Sequence, residues 1–502
     1  MKKIISIDRR RPSGAEHNSL LSATQSDRAR LIYSAAFRRL QQKAQVFSLE
    51  SNSSVRSRLT HSVEVSHIGR YIVAKIFEKL ILCERINEEE KTYWREHNLA
   101  ISNIVEIACL MHDIGNPPFG HFGESAIIEW SYSSDIKLAI KKSLGDTVDI
   151  LSDELLSDFH YFDGNPQGLR VITRLQGEDG YYGLNLTYTQ LASFLKYTYC
   201  PNTIDENKPF SKKIGYFSTE RELIEDVWNN NKLPLHTRHP LGFLMEASDD
   251  ISYCISDIED GIEKKIITVN HFKHYTKGRL HSLKNNSSDE KQICEKLIYE
   301  LGKKKRAPIS NFLSFKTHLS NFLVDSTASK FVENYERIIN LELDDVLISK
   351  DTFEYSLLKI LKDYTSEFLF ISDEAERMEL SGFSIIKGIL IEYTKLLSLT
   401  KEKFTYLLIG SNDKISKNNL HIERRLFNRL PKKHVNAYKT SILNIATNHK
   451  CFTDDNLSNC LKDVCPKTEW NIRAHLIVDF VSGMTDLYSM DMYQLLKGIK
   501  VK

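Results

Sequence analysis

Apolar side chains recur along much of this sequence at intervals of three and four residues, the spacing of one face of an α-helix. Three stripes are the clearest, and they consist of His61, Val65, Ile68 and Ile72, of Ile104, Ala108 and Met111, and of Leu244, Ala247, Ile251, Ile255 and Ile258. Strict alternation of apolar and polar residues, which is typical of half-buried strands, is rare. The pattern therefore predicts a chain built almost entirely of helices.

The predicted helices are interrupted at a few polar or proline-containing stretches. The second stripe is stopped by Asn116-Pro117-Pro118, because proline cannot continue a helix and disfavours it at the preceding residue. Loops are predicted at residues 200–220, 284–290 and 410–419. None of these stretches demands a flexible linker, so we expect a compact helical body with extensions.

Composition agrees with this picture and excludes several classes of protein. The 502 residues include only 21 glycines and 11 prolines, and 41% of them are hydrophobic. Lys and Arg number 68 against 66 Asp and Glu, so the net charge supplies no global attraction to nucleic acid or to an anionic membrane. A disordered, collagen-like or strongly basic protein is excluded.

The cysteines and the apolar runs indicate a compartment. None of the eight cysteines has the C-x-x-C spacing of a zinc or redox site, and their number fits a reducing environment. No stretch approaches the roughly 18 uncharged apolar residues of a membrane span, and the N-terminus lacks the apolar run of a signal peptide. We therefore expect a soluble cytoplasmic protein with no membrane partner.

Candidate chemistry is concentrated on the three predicted helices. His112 and Asp113 stand together at the end of the second helix, and His61 opens the first. The polar residues of the third helix are spaced four apart, roughly opposite its apolar stripe, and they are Asp249, Tyr253 and Asp257. A helix with an apolar back and a polar front is what a polar cavity inside a helical bundle needs.

Several ordered sequence blocks carry a resemblance to a known family. They lie at residues 27–30, 37–47, 58–65, 112–124, 162–168, 195–197, 238–241, 249–253 and 482–486. The most specific block runs from His112 to Glu124 and reads HDIGNPPFGHFGE. Through these blocks the sequence resembles the HD metal-dependent phosphohydrolases and, among them, the deoxyguanosine triphosphate triphosphohydrolases (dGTPases). Residues 264–470 contribute little to the resemblance.

The resemblance implies an all-α fold, with an HD-domain helical bundle, additional helical extensions and minor β structure at most. Residues 1–263 are then the HD-type catalytic core. Residues 264–502 are a helical extension packed on that core, which contributes to oligomerisation and to base recognition.

The resemblance also implies a metal site. Its four ligands are His61, His112, Asp113 and Asp249, which hold a divalent ion. Two imidazoles and two carboxylates suit manganese or magnesium, and iron, cobalt and zinc remain open. Such an ion lowers the pKa of a bound water and polarises phosphorus.

The catalytic pair implied by the resemblance is His121 with its acidic partner Glu124. The two residues are three apart, so they share a face if a helix begins near Gly120. Both roles stay open for the histidine, deprotonating the attacking water or protonating the departing 5′ oxygen.

Substrate contacts follow from the resemblance too. Arg58, Lys196 and Tyr197 match positions that hold the triphosphate, and Asn165 matches a position near the substrate. Positions that hold the deoxyribose are matched by Gln45, Tyr253 and Asp257, where a tyrosine packed beneath C2′ excludes ribonucleotides.

The sequence departs from the family pattern at the peripheral positions Ala44, Ser48 and Pro166. Because of these departures, the resemblance does not decide how the base is bound. Residues 421–434, with Glu423, Arg424, Arg425 and Arg429, are one candidate for reading the base.

The implied activity is hydrolysis of deoxynucleoside triphosphates, preferentially dGTP, to deoxynucleoside and inorganic triphosphate. The family also implies a homo-oligomer, with a hexamer favoured, and single-stranded DNA as a possible effector.

Two alternative functions remain. One is another HD phosphohydrolase, such as a nucleotidase or a ppGpp hydrolase. The other is a nucleotide sensor or single-stranded DNA binder that uses basic segments at 303–306 and 424–433.

Overall fold

The structure is a computed structural model that describes residues 1–50, 52–145, 152–177, 181–283, 287–303, 307–446 and 454–499. Within these ranges the regular elements are helices, and pairing between extended segments is limited to two isolated bridges, Arg9 with Thr187 and Ala44 with Ser57. The predicted all-α fold class, with minor β structure at most, is confirmed.

The α-helices of the described residues number 24. The first twelve are α1 (Leu20–Ile32), α2 (Ala35–Arg39), α3 (Arg58–Leu82), α4 (Glu88–Met111), α5 (Gly120–Tyr132), α6 (Ser134–Leu144), α7 (Ser152–His160), α8 (Gly164–Arg170), α9 (Tyr188–Phe194), α10 (Arg221–Asn230), α11 (Pro240–Glu263) and α12 (Val269–Leu283).

The second twelve are α13 (Ser288–Gly302), α14 (Pro308–Glu333), α15 (Tyr335–Ile339), α16 (Phe353–Phe368), α17 (Asp373–Leu397), α18 (Lys401–Leu408), α19 (Asn412–Lys417), α20 (His421–Phe427), α21 (Lys432–Ile445), α22 (Asp454–Asp463), α23 (Pro466–Ser482) and α24 (Asp486–Leu496). A π-helical segment, Val171–Leu175, continues α8. Short 3-10 turns lie at Lys2–Ile4, Leu40–Gln42 and Ser218–Glu220.

The three helices that the sequence predicts most clearly are α3, α4 and α11. Each begins at a residue whose side chain accepts a backbone N–H of the first turn, Ser57 for α3, Asn87 for α4 and His239 for α11. Such caps satisfy donors that have no partner inside the helix. The predicted stripes are buried except for the half-buried Ile68. Because α3 and α11 contact each other and both contact α4, the three helices form one packed group.

Two large clusters of buried apolar side chains organise the fold. The first core draws on α1–α4 and α8–α16. The second core draws on α5–α7 and α17–α24. Each core therefore takes helices from both sides of residue 263, and the division into 1–263 and 264–502 stays a prediction.

The predicted loops have different outcomes. Residues 200–220 are irregular apart from the short turn at their end. Residues 410–419 contain α19, because Ile415 is buried in the second core and the chain coils to place it there. In the stretch 284–290, α13 begins at Ser288 and residues 284–286 lie outside the described residues. The basic residues 304–306 and Cys451 lie outside them as well.

Five of the cysteines in the described ranges are buried. Over the described ranges, no helix combines the length and the apolar character that crossing a membrane requires.

Candidate active site

Two histidines and two aspartates converge where α3, α4 and α11 meet. His61 lies one turn into α3, and His112 is the C-cap residue of α4. Their Nε2 atoms lie 3.3 Å and 3.4 Å from Oδ1 of Asp249 on α11. Asp113 follows His112, and its Oδ1 lies 3.6 Å from Nε2 of that histidine. The structure therefore brings together all four residues predicted as metal ligands.

Neighbouring groups fix the orientation of this cluster. Nδ1 of His112 lies 2.7 Å from the carbonyl oxygen of Cys109, so Nδ1 carries a proton and Nε2 is the ring atom turned toward the cluster. Asp113 accepts a hydrogen bond of 2.7 Å from Nη1 of Arg58 and another of 2.7 Å from Nδ2 of Asn116. Both carboxylate oxygens of Asp113 are thus held, one from the first residue of α3 and the other from the turn after α4.

The charge of the cluster calls for a cation. Candidate donor atoms of His61, His112 and Asp113 all lie within 4.8 Å of one another. Burial lowers the pKa of His112, but the carboxylates of Asp113 and Asp249 outweigh it and raise the pKa to about 9. Burial opposes ionisation of Asp249 as well, yet the charge of His112 holds the pKa of that carboxyl well below its usual range. Two carboxylates that stay ionised beside imidazole nitrogens fit a divalent ion.

His121 and Glu124 form a hydrogen-bonded pair on α5. Nδ1 of His121 lies 2.7 Å from Oε2 of Glu124, and this hydrogen bond is the main reason that the pKa of His121 is raised. The other carboxylate oxygen of Glu124 accepts a hydrogen bond of 2.8 Å from the amide of Gly164 at the start of α8. The histidine side chain is 82% exposed, whereas that of Glu124 is 10% exposed. A buried, doubly held carboxylate therefore orients an accessible imidazole.

The turn before α5 adopts a left-handed backbone. Phe119 has a φ of 59° and Gly120 a φ of 56°. A Cβ on Gly120 would lie 2.8 Å from Nη2 of Arg58, so this position needs glycine for its conformation and for its space. The turn aims α5 so that His121, one residue later, faces the same cavity as Arg58.

A cavity of about 500 Å³ joins these groups. It is bounded by α3 and α11 of the first core and by α5 of the second core. The predicted site residues that line it are Gln45, Arg58, His61, His112, Asp113, His121, Glu124, Asn165, Lys196, Tyr197, Asp249 and Tyr253.

Comparison with known proteins agrees with this geometry. Residues 58–160 match the model of the HD domain. A probable deoxyguanosinetriphosphate triphosphohydrolase of Pseudomonas aeruginosa is 34% identical over 492 residues, which are 95% of this chain and 93% of that protein. The chain belongs to the dGTPase family of the HD superfamily. Membership supports hydrolysis of the HD phosphohydrolase type and a divalent metal ion at the histidine and aspartate cluster.

The HD match covers only part of this dGTPase-family site. His61, His112, Asp113 and the pair on α5 lie within residues 58–160. Asp249 and Tyr253 on α11, and Lys196 and Tyr197 shortly after α9, lie beyond them. The similarity to the Pseudomonas protein extends over 95% of the chain and is therefore not confined to the metal cluster.

Asp257 is the predicted site residue that the structure does not bring to the cavity. It is fully buried on α11, one turn beyond Tyr253. Within the described part of the chain, no donor meets its carboxylate oxygens in good hydrogen-bond geometry, although the nearby Tyr253 hydroxyl partly offsets the effect of burial on its pKa. Burial raises the pKa of this carboxyl well above its usual range. Asp257 therefore lies behind the cavity wall that Tyr253 forms.

Lys196 belongs to a buried group of charges that the sequence did not reveal. Its Nζ lies 3.4 Å from Oε1 of Glu246, and Glu246 also accepts a hydrogen bond from Arg238. Burial lowers the pKa of Lys196, but Glu246 outweighs it and the pKa is raised. Glu246 precedes Asp249 by three residues, so the helical spacing of α11 was a signal that places both on one side.

A third cation of the cavity, Lys213, was not predicted from the sequence. It contacts Oδ2 of Asp163, whose other oxygen accepts the backbone amide of Asn165 at 2.9 Å. Burial opposes the charge of Lys213, but Asp163 outweighs it and raises the pKa of this lysine. Because Lys213 stands in the irregular stretch 200–220, no periodicity marks it in the sequence.

The second half of the chain supplies one wall of the cavity. This wall is formed by Phe370, which precedes α17, and by Met378 and Glu379 on α17. The base-reading candidates at 421–434 are not among the described residues that line the cavity. No motif in the sequence signalled the wall, since it depends on how α17 packs against α5.

Proposed function

We propose that the chain hydrolyses deoxynucleoside triphosphates, preferentially dGTP, and releases the deoxynucleoside and intact inorganic triphosphate. The observation that carries this proposal is a single cavity that holds the histidine and aspartate cluster, the His121–Glu124 pair and three cationic side chains. The Pseudomonas relative is named a probable deoxyguanosinetriphosphate triphosphohydrolase, which agrees with this proposal.

His61, His112, Asp113 and Asp249 would hold a divalent ion, with manganese or magnesium favoured. When bound, that ion supplies Lewis-acid polarisation of the phosphate and a water molecule of lowered pKa. Burial of the cluster strengthens these electrostatic effects.

His121 transfers the proton. Because Nδ1 is occupied by Glu124, Nε2 is the atom that exchanges a proton with water or with the 5′ oxygen. A water oxygen forms the new bond to the α-phosphorus, and the bond from that phosphorus to the 5′ oxygen breaks. The proton that water loses balances the one that the 5′ oxygen gains, and Glu124 keeps the imidazole oriented throughout.

Arg58, Lys196 and Lys213 bind the triphosphate. Each already has a carboxylate partner, Asp113, Glu246 or Asp163, which positions it before substrate arrives. Preorganised cations of this kind act on the charge that develops during phosphoryl transfer. Asn165 and Tyr197 stand beside them in the cavity wall.

Gln45 and Tyr253 hold the deoxyribose. Among the described residues, the buried Oε1 of Gln45 has no hydrogen-bond partner, so it is an acceptor available to the 3′-OH. The Tyr253 ring, 6.5 Å from that of His61, keeps the sugar next to the metal site and leaves no room for a 2′-OH. Asp257 lies behind Tyr253 and acts on the sugar only through that tyrosine.

Phe370 and Glu379 meet the base. An aromatic ring offers a stacking surface, and a carboxylate accepts hydrogen bonds from the N–H groups of guanine. Burial, which exceeds the effect of the nearby Glu376, raises the pKa of Glu379. This side chain is thus already partly withdrawn from water.

The test is a screen of all dNTPs and NTPs with Mn²⁺ or Mg²⁺, with products resolved by phosphorus NMR. We expect dGTP to give triphosphate and deoxyguanosine. Stepwise release of orthophosphate, or turnover of a guanosine tetraphosphate only, would instead identify another HD phosphohydrolase. Ribonucleotide turnover as fast as that of dNTPs would refute the sugar contact of Tyr253. Binding without turnover would identify a sensor.

We also propose that the chain acts in the cytoplasm as a homo-oligomer, with a hexamer favoured, and that single-stranded DNA is an effector. Light scattering measures the mass of the assembly. Activity assays with and without an oligonucleotide measure the effect of DNA.

A further inference from the structure

Two buried polar residues, Lys43 and Asp486, lie between the parts of the site without belonging to the predicted machinery. They are 4% and 3% exposed. Lys43 follows the 3-10 turn Leu40–Gln42, and Asp486 is the first residue of α24, more than 400 positions away. Burying a charged side chain is costly unless its partners are strong. Their hydrogen bonds therefore indicate what these residues do.

Asp486 holds two backbone amides that belong to different active-site segments. Its Oδ2 accepts the amide of Ala44 at 3.0 Å, and its Oδ1 accepts the amide of Phe119 at 3.2 Å. Ala44 directly precedes Gln45, and Phe119 lies two residues before His121. A carboxylate can bind two donors at once through its two oxygens. The side chain thus joins the Gln45 segment to the turn that begins α5.

Lys43 makes a parallel connection. Its Nζ donates to the carbonyl oxygen of Ser482 at 2.9 Å and to the carbonyl oxygen of Asn116. Asn116 itself donates to Asp113 in the metal cluster. Ser482, which precedes α24, is therefore connected through Lys43 to the same turn, at a residue three positions after Asp113.

The turn needs such support because its conformation is disfavoured. Phe119 has a left-handed backbone, which a residue with a large side chain rarely adopts unless its surroundings impose it. The Phe119 ring also lies against α17, where a Cβ on Gly382 would stand 2.3 Å from its Cγ. Asp486 and α17 hold the same residue from its amide and from its ring.

We propose that Asp486, assisted by Lys43, is a positioning residue that sets His121 in register with the metal cluster. The inference rests on the proposed role of His121 in proton transfer. Asp486 fixes the last turn before α5, so a loosened contact displaces the imidazole while the cluster, anchored in α3, α4 and α11, stays in place. Displacement by about 1 Å is enough to slow a reaction about 100-fold.

The first test compares Asp486→Asn with Asp491→Asn, an exposed aspartate on the same helix. Asp486→Asn replaces one acceptor oxygen by an amide group that faces a backbone N–H. We expect kcat for dGTP to fall about 100-fold, with little change in KM and unchanged Mn²⁺ affinity by calorimetry. The control keeps its kcat. Full kcat in Asp486→Asn, or a loss of Mn²⁺ affinity as large as the loss of kcat, overturns the proposal.

A double-mutant cycle with His121→Ala separates positioning from general stabilisation. If Asp486 acts through His121, Asp486→Asn has no further effect on kcat once the imidazole is gone. Additive losses overturn the proposal. Full activity of His121→Ala refutes the proton-transfer role itself, whereas an inactive His121→Ala beside a fully active Asp486→Asn overturns the positioning role only.

The fold of each variant is checked by its thermal melting. If Asp486→Asn does not fold, the same cycle is run with Lys43→Met, which removes the second connection to the turn. We expect a smaller loss of kcat that again depends on His121. A Lys43→Met protein with full kcat overturns the proposal in that case.

Discussion

The two sides of the cavity are built in different ways. The metal cluster stands on α3, α4 and α11, three long helices of the first core that contact one another, and its side chains are mostly buried. The proposed proton-transfer pair, His121 and Glu124, stands on α5 in the second core, after a turn of two left-handed residues, and His121 is largely exposed. The first side is set by regular helix packing, and the second by a strained turn that other segments hold.

If the proposed roles hold, this difference separates two functions that act on one substrate. We expect a change on the first side to alter which ion is bound and how tightly. We expect a change on the second side to alter the rate of proton transfer while the ion stays bound. The expectations below proceed from the largest effect to the smallest.

Removing a ligand of the first side has the largest effect. His112→Ala leaves Asp113 and Asp249 without one imidazole, and a bound ion contributes several kcal/mol to the transition state. We expect triphosphate release to fall at least about 1,000-fold, together with Mn²⁺ affinity measured by calorimetry. His67→Ala, on α3 with an exposed side chain, is the matched control. Undiminished Mn²⁺ affinity in His112→Ala contradicts the ligand assignment.

Removing the proton-transfer group has the next largest effect and tests the separation directly. His121→Ala should lower kcat about 100- to 10,000-fold, the range of general acid–base catalysis. Mn²⁺ affinity should stay near that of the wild type, because the cluster does not include this residue. Parallel loss of metal binding would show that the two sides are not separable.

A pH profile sharpens the role of Glu124. The hydrogen bond that Nδ1 of His121 donates to Glu124 raises the pKa of His121, so the charged imidazole persists to higher pH with Glu124 than without it. Glu124→Gln weakens that interaction and should move the His121 limb of the kcat/KM profile to lower pH. The limb is identified by its disappearance in His121→Ala. A shift to higher pH would mean that Glu124 does not stabilise the charged imidazole.

The smallest effect concerns a cation between the two sides. Lys213→Gln removes a charge that lines the cavity, and a charge-assisted hydrogen bond contributes about 1.5 kcal/mol or more. We expect KM for dGTP to rise about tenfold, with less change in kcat. Lys212→Gln, the neighbouring exposed lysine, should leave KM unchanged. Equal effects of the two substitutions would mean that Lys213 contributes only through its general positive charge and not through a contact in the cavity.

The same contrast explains how far the sequence could predict this site. The stripes of α3, α4 and α11 follow from spacing, because a helix face is a local property. His61, His112, Asp113 and Asp249 could therefore be placed on or at the ends of predicted helices, and the resemblance of their motifs to the family indicated that they form one set of ligands.

The rest depends on tertiary contacts that spacing does not encode. Lys213 stands in an irregular stretch, and Glu379 reaches the cavity only because α17 packs on α5. The composition of the two cores depends on packing as well, since each takes helices from both halves of the chain. The hydrogen bonds of Asp486 join positions that are several hundred residues apart.

Gly120 also limits how this gene can vary. Its positive φ disfavours most side chains, and a Cβ there would lie 2.8 Å from Nη2 of Arg58, so the guanidinium would have to shift. Gly410 has a positive φ of 68° as well, but nothing lies within 4 Å of an added Cβ there. Asparagine, which tolerates this backbone region, should therefore be tolerated at position 410 and should displace Arg58 at position 120. Among active descendants of this sequence, glycine should persist at position 120 and be replaced more freely at position 410.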